Sequence, residues 1–404
     1  MKDFDVLIVG AGPAGSFAAE RLALAGKQVA LFDGRPPDEA KACGGGVTSK
    51  ALKAWPHLLE AVGRTVDELE MYSPSGKKLH LELDEPFAIY SRIAFDNYLR
   101  DRAEAAGAHI IGERVSFQRH AKLDEDWVVR NRSGSVWQSP FLVAADGANS
   151  RIAKTLAGPL SKAEMEVAFG YRAPLPRQED TVPTVVAFLP GWAGYAWAFP
   201  RPDHISFGIA TSQDAFDHEA LDALLWKFMA GYYRMRADNT SRLWTARKKD
   251  GALDERIATE LRATAERYAA RIPGLSVKSW DTRRASGDGW ALLGDAAGFA
   301  DPVTGEGIYY ALRSAELFAE SYLDGRPEEY EVRWRSDFGG ELRRAAEMRR
   351  RFYGNFWGAP FTERMIEFAR AHKGIRKVLG ELVAGDQGYT NLKRTLARRA
   401  MKPL

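Results

Sequence analysis

Gly10-Ala11-Gly12-Pro13-Ala14-Gly15 follows directly on an apolar run of strand length, Asp5 to Val9. Glycines at this spacing allow a tight turn, a close backbone approach to a pyrophosphate, and close packing of a helix on a strand. The stretch 13–25 predicts a helix that Gly26 ends. The N-terminus of that helix offers free N–H groups and a positive dipole end to phosphates. The motif therefore predicts a dinucleotide-binding turn.

The next segment supports that prediction. A second buried strand is predicted over 28–33, which makes the chain start as a βαβ unit and predicts a parallel sheet. Asp33 stands 23 positions after Gly10, close to the usual distance for an acidic residue that binds a ribose.

A second glycine-rich element lies near residue 300. Gly294-Asp295 ends the apolar strand predicted over 290–293, and an Asp at a strand end can accept a hydrogen bond from a ribityl or sugar hydroxyl. Pro302, Gly305 and Gly307 shape a loop that opens a helix before Ile308. The N-terminus of such a helix can stabilise the negative charge of a reduced flavin, whereas a reduced nicotinamide carries no such charge. The sequence therefore favours FAD over NAD.

A third acid–glycine pair, Asp146-Gly147, follows the strand predicted over 141–145. It repeats the pattern of a carboxylate at a strand end. An ordinary β-turn remains the alternative, because Asp-Gly is a common turn pair.

Composition limits the function classes. The 404 residues contain 45% hydrophobic and 27% charged residues, which is typical of a globular chain with room for two or three domains. The net charge of +3 is too small to indicate nucleic-acid binding. One cysteine excludes an intramolecular disulfide and a four-thiolate iron–sulfur cluster. The seven histidines have no metal-ligand spacing, so no metal site is expected.

Charge is uneven along the chain. Residues 341–404 hold 15 Lys and Arg against 6 Asp and Glu, a net charge of +9, which leaves −6 for the remainder. Such a basic end, with scattered aromatic and aliphatic residues, fits either an anionic membrane surface or a solvated helical face. We expect a cytoplasmic protein with no secretory signal, in peripheral contact with the inner membrane face if the first reading holds.

The uncharged stretch 181–200 has the length of a membrane span, but its prolines and glycines favour strands. A hairpin is predicted over 69–83 and a helix over 92–106. Short alternating strands are predicted over 166–210, and helices over 217–235 and 256–271.

The expected fold is α/β, a Rossmann-like FAD-binding domain with an inserted antiparallel β-sheet substrate domain and a helical C-terminal region. The predicted ranges are 1–65, 86–160 and 276–325 for the FAD-binding domain, 66–85 and 161–275 for the substrate domain, and 326–404 for the C-terminal region.

Two segments indicate the substrate side. In the strand Tyr195-Ala196-Trp197-Ala198-Phe199-Pro200 the three aromatic residues share one face and the alanines the other. The aromatic face can wall an apolar tunnel or fill a sheet core. The lone cysteine lies in Lys41-Ala42-Cys43-Gly44-Gly45-Gly46-Val47, a loop suited to close approach to a flat cofactor.

These segments resemble a known family. The motifs at 10–15, 145–151 and 294–308 are similar to the flavoprotein fold of p-hydroxybenzoate hydroxylase. Within that fold, the segments 41–47, 195–200, 302–308 and 388–393 resemble the geranylgeranyl reductase family, and the resemblance covers nearly the whole chain.

The resemblance implies roles for individual residues. Ala14 and Gly15 would meet the pyrophosphate and Asp33 the adenosine ribose, although Glu is frequent at that position in the fold. Ala42, Cys43 and Gly45 would line the flavin. The remaining positions are Arg92 at the pyrophosphate, Val115 at the adenine through its backbone, and Asp295, Gly307 and Ile308 at the ribityl chain and ring. It also makes Tyr195 and Trp197 candidates for ligand contact, beside Cys43 as a catalytic residue.

The expected function is FAD-dependent reduction of carbon–carbon double bonds in an isoprenoid substrate, by hydride transfer from reduced flavin. Cys43 would either pack on the flavin or supply the proton. An FAD-dependent monooxygenase or halogenase acting on an apolar or aromatic substrate is the alternative, since the Tyr-x-Trp-x-Phe-Pro strand partly resembles a halogenase motif. The glycine-flanked cysteine favours the reductase. The reductant, NAD(P)H or a ferredoxin-type carrier, stays open, as do the isoprenoid reduced and the oligomeric state.

Overall fold

The structure is a computed structural model that describes residues 2–36, 41, 43–119, 126–176, 182–212, 217–237, 243–244 and 251–400. The strands, in chain order, are β1 (Lys2–Asp3), β2 (Val6–Val9), β3 (Val29–Phe32), β4 (Gly46–Val47), β5 (Gly63–Tyr72), β6 (Lys78–Tyr90), β7 (His109–Ile111), β8 (Val115–Arg119), β9 (Trp127–Asn131), β10 (Val136–Ser139), β11 (Leu142–Ala144), β12 (Met165–Ala173), β13 (Val185–Phe188), β14 (Gly194–Pro200), β15 (Ile205–Ser212), β16 (Glu266–Pro273), β17 (Ser286–Gly287), β18 (Trp290–Leu292), β19 (Asn355–Phe356) and β20 (Ala359–Pro360).

The helices are α1 (Pro13–Leu24), α2 (Ser49–Ala54), α3 (Arg92–Ala105), α4 (Arg151–Leu156), α5 (His218–Ala237), α6 (Gly251–Arg262), α7 (Val277–Thr282), α8 (Ile308–Leu323), α9 (Tyr330–Trp334), α10 (Gly340–Phe352), α11 (Phe361–Ala371), α12 (Lys373–Val383) and α13 (Leu392–Ala400).

The chain divides into two compact units, each made of three separate segments. Unit 1 contains residues 1–40, 93–165 and 272–347, and unit 2 contains residues 41–92, 166–271 and 348–404. These two units are defined by which residues pack together. The domain ranges given above are a functional division, and they stay a prediction.

Unit 1 is built on a six-stranded sheet in the order β17-β18-β11-β2-β3-β7. All neighbours in it are parallel except β17 and β18. Its central strands are buried on both faces, which is why they read as continuous apolar runs in the sequence. In register, Val9 pairs with Ala144 and with Phe32, and Ala144 pairs with Leu292. The three dispersed acid- and glycine-containing motifs therefore leave one edge of the sheet side by side.

Unit 2 is built on an eight-stranded sheet in the order β16-β12-β15-β14-β13-β5-β6-β4. One face of it packs against α5 and forms the core of the unit, which is rich in aromatic side chains. The two alanines of β14, Ala196 and Ala198, lie in this core. The predicted alternation along 195–200 is therefore confirmed, because the aromatic residues of that strand lie on the opposite face.

One helix prediction is wrong. The stretch 256–271 was expected to be a single helix, but α6 ends at Arg262 and β16 begins at Glu266. Burial alternates along most of β16, where the half-buried positions 268, 270 and 272 follow the exposed positions 267, 269 and 271. A period of two is typical of a strand. The charged residues at the exposed positions made this period hard to recognise in the sequence.

The stretch from 182 to 200 forms β13 and β14 and is not a helix, as its prolines and glycines predicted. Thr181, at its predicted start, lies outside the described residues. Across the described part of the chain, every helix is too short or too polar to span a bilayer.

Glu164 joins the two ends of the segment that leaves unit 1 and returns to it. Its Oε1 accepts hydrogen bonds from the backbone N–H of Ser276 (3.0 Å), from the Ser276 hydroxyl (2.6 Å) and from the Ser279 hydroxyl. Its Oε2 accepts from the N–H and hydroxyl of Ser161, at 3.2 and 2.9 Å. The backbone closes the same junction, since Gly274 N–H donates to the Glu164 carbonyl at 2.8 Å.

Burial alone would raise the pKa of Glu164, but these donors outweigh it and lower the pKa to about 2. The folded-state pKa lies below the unfolded one. The carboxylate therefore stabilises the fold fully above about pH 4.5 and loses that contribution as the pH falls toward 2.

We expect Glu164→Gln to lower the free energy of unfolding by about 2 kcal/mol at pH 7, because one side-chain oxygen that accepts hydrogen bonds is lost. The difference from the unsubstituted protein should shrink as the pH falls from about 4.5 toward 2, because the carboxyl of the unfolded chain becomes protonated over this range and the native one only near pH 2. Denaturant unfolding at several pH values measures both effects. The exposed Glu328→Gln is the matched control. An equal stability change in the two variants would contradict the role of Glu164.

Candidate functional site

The phosphate-binding turn of unit 1 has no room for side chains. Gly10 has a φ of +107°, and a Cβ there would lie 2.3 Å from the carbonyl oxygen of Ala145. A Cβ on Gly15 would lie 1.8 Å from the Gly10 oxygen. The turn thus needs glycine at both positions, for the tight turn and the close packing of helix on strand that the motif predicts.

The helix that follows is open at its N-terminus. Gly12 is the N-cap of α1 and Pro13 begins it, and no side chain caps it. The first-turn N–H groups, those of Ala14 and Gly15, have no partner within the helix. Both residues are buried, so they form a donor pair suited to a phosphate.

Asp33 lies one residue beyond β3 and is buried. Its carboxylate accepts from the backbone N–H and the guanidinium of Arg35, at 3.1 Å each, and lies 3.6 Å from Arg100. A carboxylate held by two arginines is fixed in place at the strand end. This is the position required of an acid that binds a ribose diol.

The other two motifs bring their acids to the same edge of the sheet. Asp146 follows β11, and Gly147 turns the chain with a φ of +83°. Asp295 follows β18, and a Cβ on Gly307 would lie 3.0 Å from its Oδ1. Asp295 and Gly307, both expected at the ribityl chain and ring, are thus close in space.

The loop before α8 is held by the buried Asp301. Its Oδ1 accepts from the N–H of Val303 (2.7 Å) and of Thr304 (3.2 Å), and its N–H donates to the Glu306 carbonyl at 2.8 Å. Gly305 takes a φ of +71° within the loop. The loop therefore delivers Gly307 as the N-cap of α8 without a side-chain cap, so the helix N-terminus is available to a ligand.

Together these features fit FAD. The glycine turn at Gly10 and the open end of α1 suit its pyrophosphate, and Asp33 suits its ribose. The acid at 295 and the open end of α8 suit the ribityl chain and ring. Val115 begins β8 in the same unit.

In unit 2, the loop that carries Cys43 is compact. The N–H of Gly45 donates to the Cys43 sulfur at 3.3 Å, and the Gly45 carbonyl accepts from Tyr90 N–H at 2.9 Å. Gly45 has a φ of +79°, and a Cβ there would lie 2.1 Å from the Tyr90 oxygen. The glycine is therefore required, and it sets where the sulfur lies relative to β6.

Arg201 anchors this loop from the end of β14. Its guanidinium donates to the carbonyls of Cys43 and Gly44 at 3.0 Å each, and lies 3.3 Å from the His204 ring. Arg201 is only 4% exposed. No carboxylate among the described residues pairs with it within 4 Å. Burial lowers the pKa of Arg201, and the nearby Cys43 acts in the opposite direction.

Tyr268 lies close by, on β16. Its hydroxyl donates to the Phe207 carbonyl at 2.6 Å and shares a hydrogen bond with the Ser206 hydroxyl at 2.8 Å. Burial raises the pKa of Tyr268 to about 12, so it remains a neutral donor. A Cβ on Gly170 would lie 2.7 Å from this hydroxyl, so a glycine at 170 leaves space for it.

The aromatic face of β14 lies against the cysteine loop. A Cβ on Gly44 would lie 3.2 Å from the Phe199 ring and 3.5 Å from the Trp197 indole nitrogen. The Trp197 ring is 4% exposed, and its centroid lies 6.0 Å from that of Tyr195. Gly208 on β15 leaves space for the indole, since a Cβ there would lie 2.0 Å from it. The loop therefore lies flat on the aromatic strand, as its glycines allow.

The candidate residues divide between the two units. Unit 1 holds the predicted positions Gly10, Gly12, Ala14, Gly15, Asp33, Val115, Asp146, Gly147, Asp295, Gly305, Gly307 and Ile308. Unit 2 holds Cys43, Gly45, Arg92, Tyr195 and Trp197. Arg92 is buried and begins α3. Ala42, expected to line the flavin, lies outside the described residues.

Sequence reasoning missed Arg201 and Tyr268. Arg201 follows directly on the Tyr-x-Trp-x-Phe-Pro motif. A single cation at the end of an otherwise uncharged strand could have been recognised as a candidate site residue. Tyr268 was hidden by the wrong helix prediction over 256–271.

Comparison with known proteins identifies the family. A model described as "FAD binding domain" matches residues 3–189. Geranylgeranyl diphosphate reductase of Synechocystis sp. is 32% identical over 340 residues, covering 79% of this chain and 75% of that protein. Digeranylgeranylglycerophospholipid reductase 2 of Methanopyrus kandleri is 28% identical, covering 98% of this chain and 97% of its own length.

The fold is also found among solved structures. A geranylgeranyl bacteriochlorophyll reductase-like protein of Thermoplasma acidophilum has a TM-score of 0.72 at 20% identity, covering 99% of this chain and 100% of that one. The expected fold class and the FAD cofactor are thereby confirmed. With its glycine turn, its Cys43 loop and its relatives, this chain belongs to the geranylgeranyl reductase family of FAD-dependent flavoproteins.

Proposed function

We propose that this protein reduces carbon–carbon double bonds of a geranylgeranyl-type isoprenoid chain. The observation that supports this most is the Cys43 loop, which lies flat on the aromatic face of β14 and is anchored by a buried arginine. An aromatic surface suits the binding of an apolar isoprenoid chain. An alkene that accepts a hydride also needs a proton donor beside it. The names of the relatives agree with this substrate class.

FAD, when bound and reduced, supplies a hydride to one alkene carbon. The protein must then deliver a proton to the other carbon and keep water away. We propose Cys43 as the proton donor. The S–H bond breaks, the proton forms the new C–H bond, and the sulfur keeps the electron pair until it takes a proton from solvent. The Gly45 N–H, 3.3 Å from the sulfur, would stabilise the charge left there.

Two more residues have proposed positions along the substrate. Trp197 and Tyr195 would contact the isoprenoid through their ring faces, as the shared face of β14 permits. Arg201 would act on the loop and Tyr268 on β15, and neither on the substrate, because their hydrogen-bond partners are groups of the protein. In unit 1, the proposed roles in FAD binding are those given above for each residue.

The substrate class also bears on location. Geranylgeranyl chains attached to lipids lie in a bilayer, and residues 341–404 carry a net charge of +9. We propose that this basic C-terminal region brings the protein into peripheral contact with an anionic membrane surface.

The first prediction concerns the reaction. Protein loaded with FAD and reduced without oxygen should be reoxidised by geranylgeranyl diphosphate or by a geranylgeranyl ether lipid, and the product should gain two hydrogens for each double bond lost. Flavin absorbance and mass spectrometry measure the two. The saturated lipid of the same length is the control. Product that forms only with oxygen, and carries oxygen or halogen, would instead establish the monooxygenase or halogenase alternative.

The second prediction concerns Cys43. Cys43→Ala should slow single-turnover alkene reduction about 100-fold, the lower range for loss of a general acid, while FAD content stays unchanged. Cys43→Ser should recover part of the rate and show a changed pH profile, since a hydroxyl is a weaker acid. Full activity of both variants at every pH would leave the thiol with a packing role only.

The third prediction concerns Arg201. Arg201→Met removes two charge-assisted hydrogen bonds, so the amide hydrogens of residues 44–47 should exchange at least about tenfold faster. Arg201→Lys keeps the charge but not the paired donors, and should be intermediate. Hydrogen exchange read by mass spectrometry needs neither FAD nor substrate. Unchanged exchange in Arg201→Met would show that other contacts hold the loop.

A further inference from the structure

A strained aromatic turn stands out in unit 2. β19 and β20 form a short hairpin, in which Asn355 pairs with Pro360 and Phe356 with Ala359. The two turn residues, Trp357 and Gly358, have φ angles of +49° and +74°. This is a turn in which Asn-Gly is favoured, because both residues must adopt positive φ. Among the described residues, Trp357 is alone in combining a side chain with a positive φ.

A bulky side chain in this conformation is strained, and such strain persists only where the surrounding structure holds it; strained residues cluster at functional sites. The chain stabilises the turn in two ways. Arg364 donates to the Trp357 carbonyl at 3.1 Å, and the Trp357 ring stacks on Phe356 with centroids 4.7 Å apart. These contacts therefore compensate the backbone strain locally, while the indole side chain remains exposed to solvent.

The aromatic side chains of this hairpin are exposed. Trp357 is 74% exposed, Phe356 38% and Phe368, which meets Trp357 edge-on, 41%. These three residues form one apolar cluster, which we call the aromatic hairpin cluster. A single exposed aromatic residue is common on a protein surface, but a contiguous cluster of three, on and beside a strained turn, is a feature of binding surfaces.

Cations lie next to the cluster in sequence. Arg343, Arg344 and Arg349 of the preceding segment each pair with a carboxylate. By contrast, Arg350 and Arg351 are exposed, and no carboxylate of the described chain lies within ion-pair distance of either. Residues 348–404 hold 13 Lys and Arg against 4 Asp and Glu, a net charge of +9.

We infer that the aromatic hairpin cluster inserts into the surface of an anionic lipid bilayer, with Arg350 and Arg351 at the headgroups. Tryptophan is the residue most suited to the interfacial zone, and arginines beside it are attracted by anionic lipids. One aromatic residue on a narrow turn, with two more beside it, offers little area to a folded protein, which needs a broad complementary surface, whereas a fluid surface conforms to it. The inference deepens the proposed membrane contact by naming the anchor.

Vesicle binding tests this directly. The FAD-loaded full chain is mixed with vesicles of phosphatidylcholine, with and without phosphatidylglycerol, and the bound fraction is measured by sedimentation. We expect binding to the anionic vesicles that falls at high salt. Trp357→Asn should weaken it at least about fivefold, because the interfacial aromatic is lost. Arg350→Gln with Arg351→Gln should weaken the preference for anionic vesicles at least about tenfold, because two cations at the headgroups are lost.

Trp357→Asn also controls for misfolding. Asn is favoured at this turn position, so the variant should unfold at a temperature equal to or above that of the unsubstituted protein. Val332→Ser, at a residue that is 67% exposed on α9, is the matched apolar control and should bind as the unsubstituted protein does. Equal vesicle binding by Trp357→Asn, or no binding by any form, would overturn the inference. So would a dimer in vesicle-free solution that Trp357→Asn dissociates, since the cluster would then face a second copy.

The result is separable from the proposed reaction. Alkene reduction in detergent, with the substrate in solution, should be unchanged in Trp357→Asn. Loss of vesicle binding with full reductase activity supports the anchor. Vesicle binding in a protein that reduces no isoprenoid would leave the anchor standing and contradict only the reaction.

Discussion

The buried guanidinium of Arg201 is the interaction on which the candidate substrate side depends. It holds the carbonyls of Cys43 and Gly44 at the end of β14, and it does so without a carboxylate partner among the described residues. A buried cation is costly unless its donors are used, so the loop and the arginine fix each other. Gly45 is then required, because a Cβ there would lie 2.1 Å from the Tyr90 carbonyl oxygen and 2.8 Å from the Arg201 guanidinium. The same arrangement places Gly44, next to the cysteine, against the Phe199 ring of β14.

Unit 1 follows from a different constraint, the register of its parallel sheet. The strand ends at Val9, Ala144 and Leu292 are neighbours, although they are separated by more than a hundred residues of sequence each. Each is followed by a glycine-containing turn, and in the first of them a Cβ on Gly10 would lie 2.3 Å from the carbonyl oxygen of Ala145. Glu164 closes the segment that interrupts this unit, through the serines at 161, 276 and 279. The nucleotide-binding elements can thus be far apart in sequence and adjacent in the fold.

The sequence alone predicts much of this, and where it fails the reason is physical. Continuous apolar runs identify the parallel strands, and acid–glycine pairs at their ends identify the ligand side. The alternation along 195–200 correctly divides aromatic from alanine faces. The strand β16 is missed because its charged residues imitate a helix, and with it Tyr268. The partners of Arg201 could not be found from local pattern either, because they lie 157 and 158 residues away.

The central claim is that an isoprenoid chain is reduced where the Cys43 loop meets the aromatic face of β14. A geranylgeranyl analogue carrying a photoreactive diazirine near its double bond tests it most directly. After irradiation of the FAD-loaded protein, we expect adducts on residues 43–47 and 194–200, and we expect unlabelled geranylgeranyl substrate to suppress them. Adducts confined to other parts of the chain, or unaffected by competing substrate, would contradict this account.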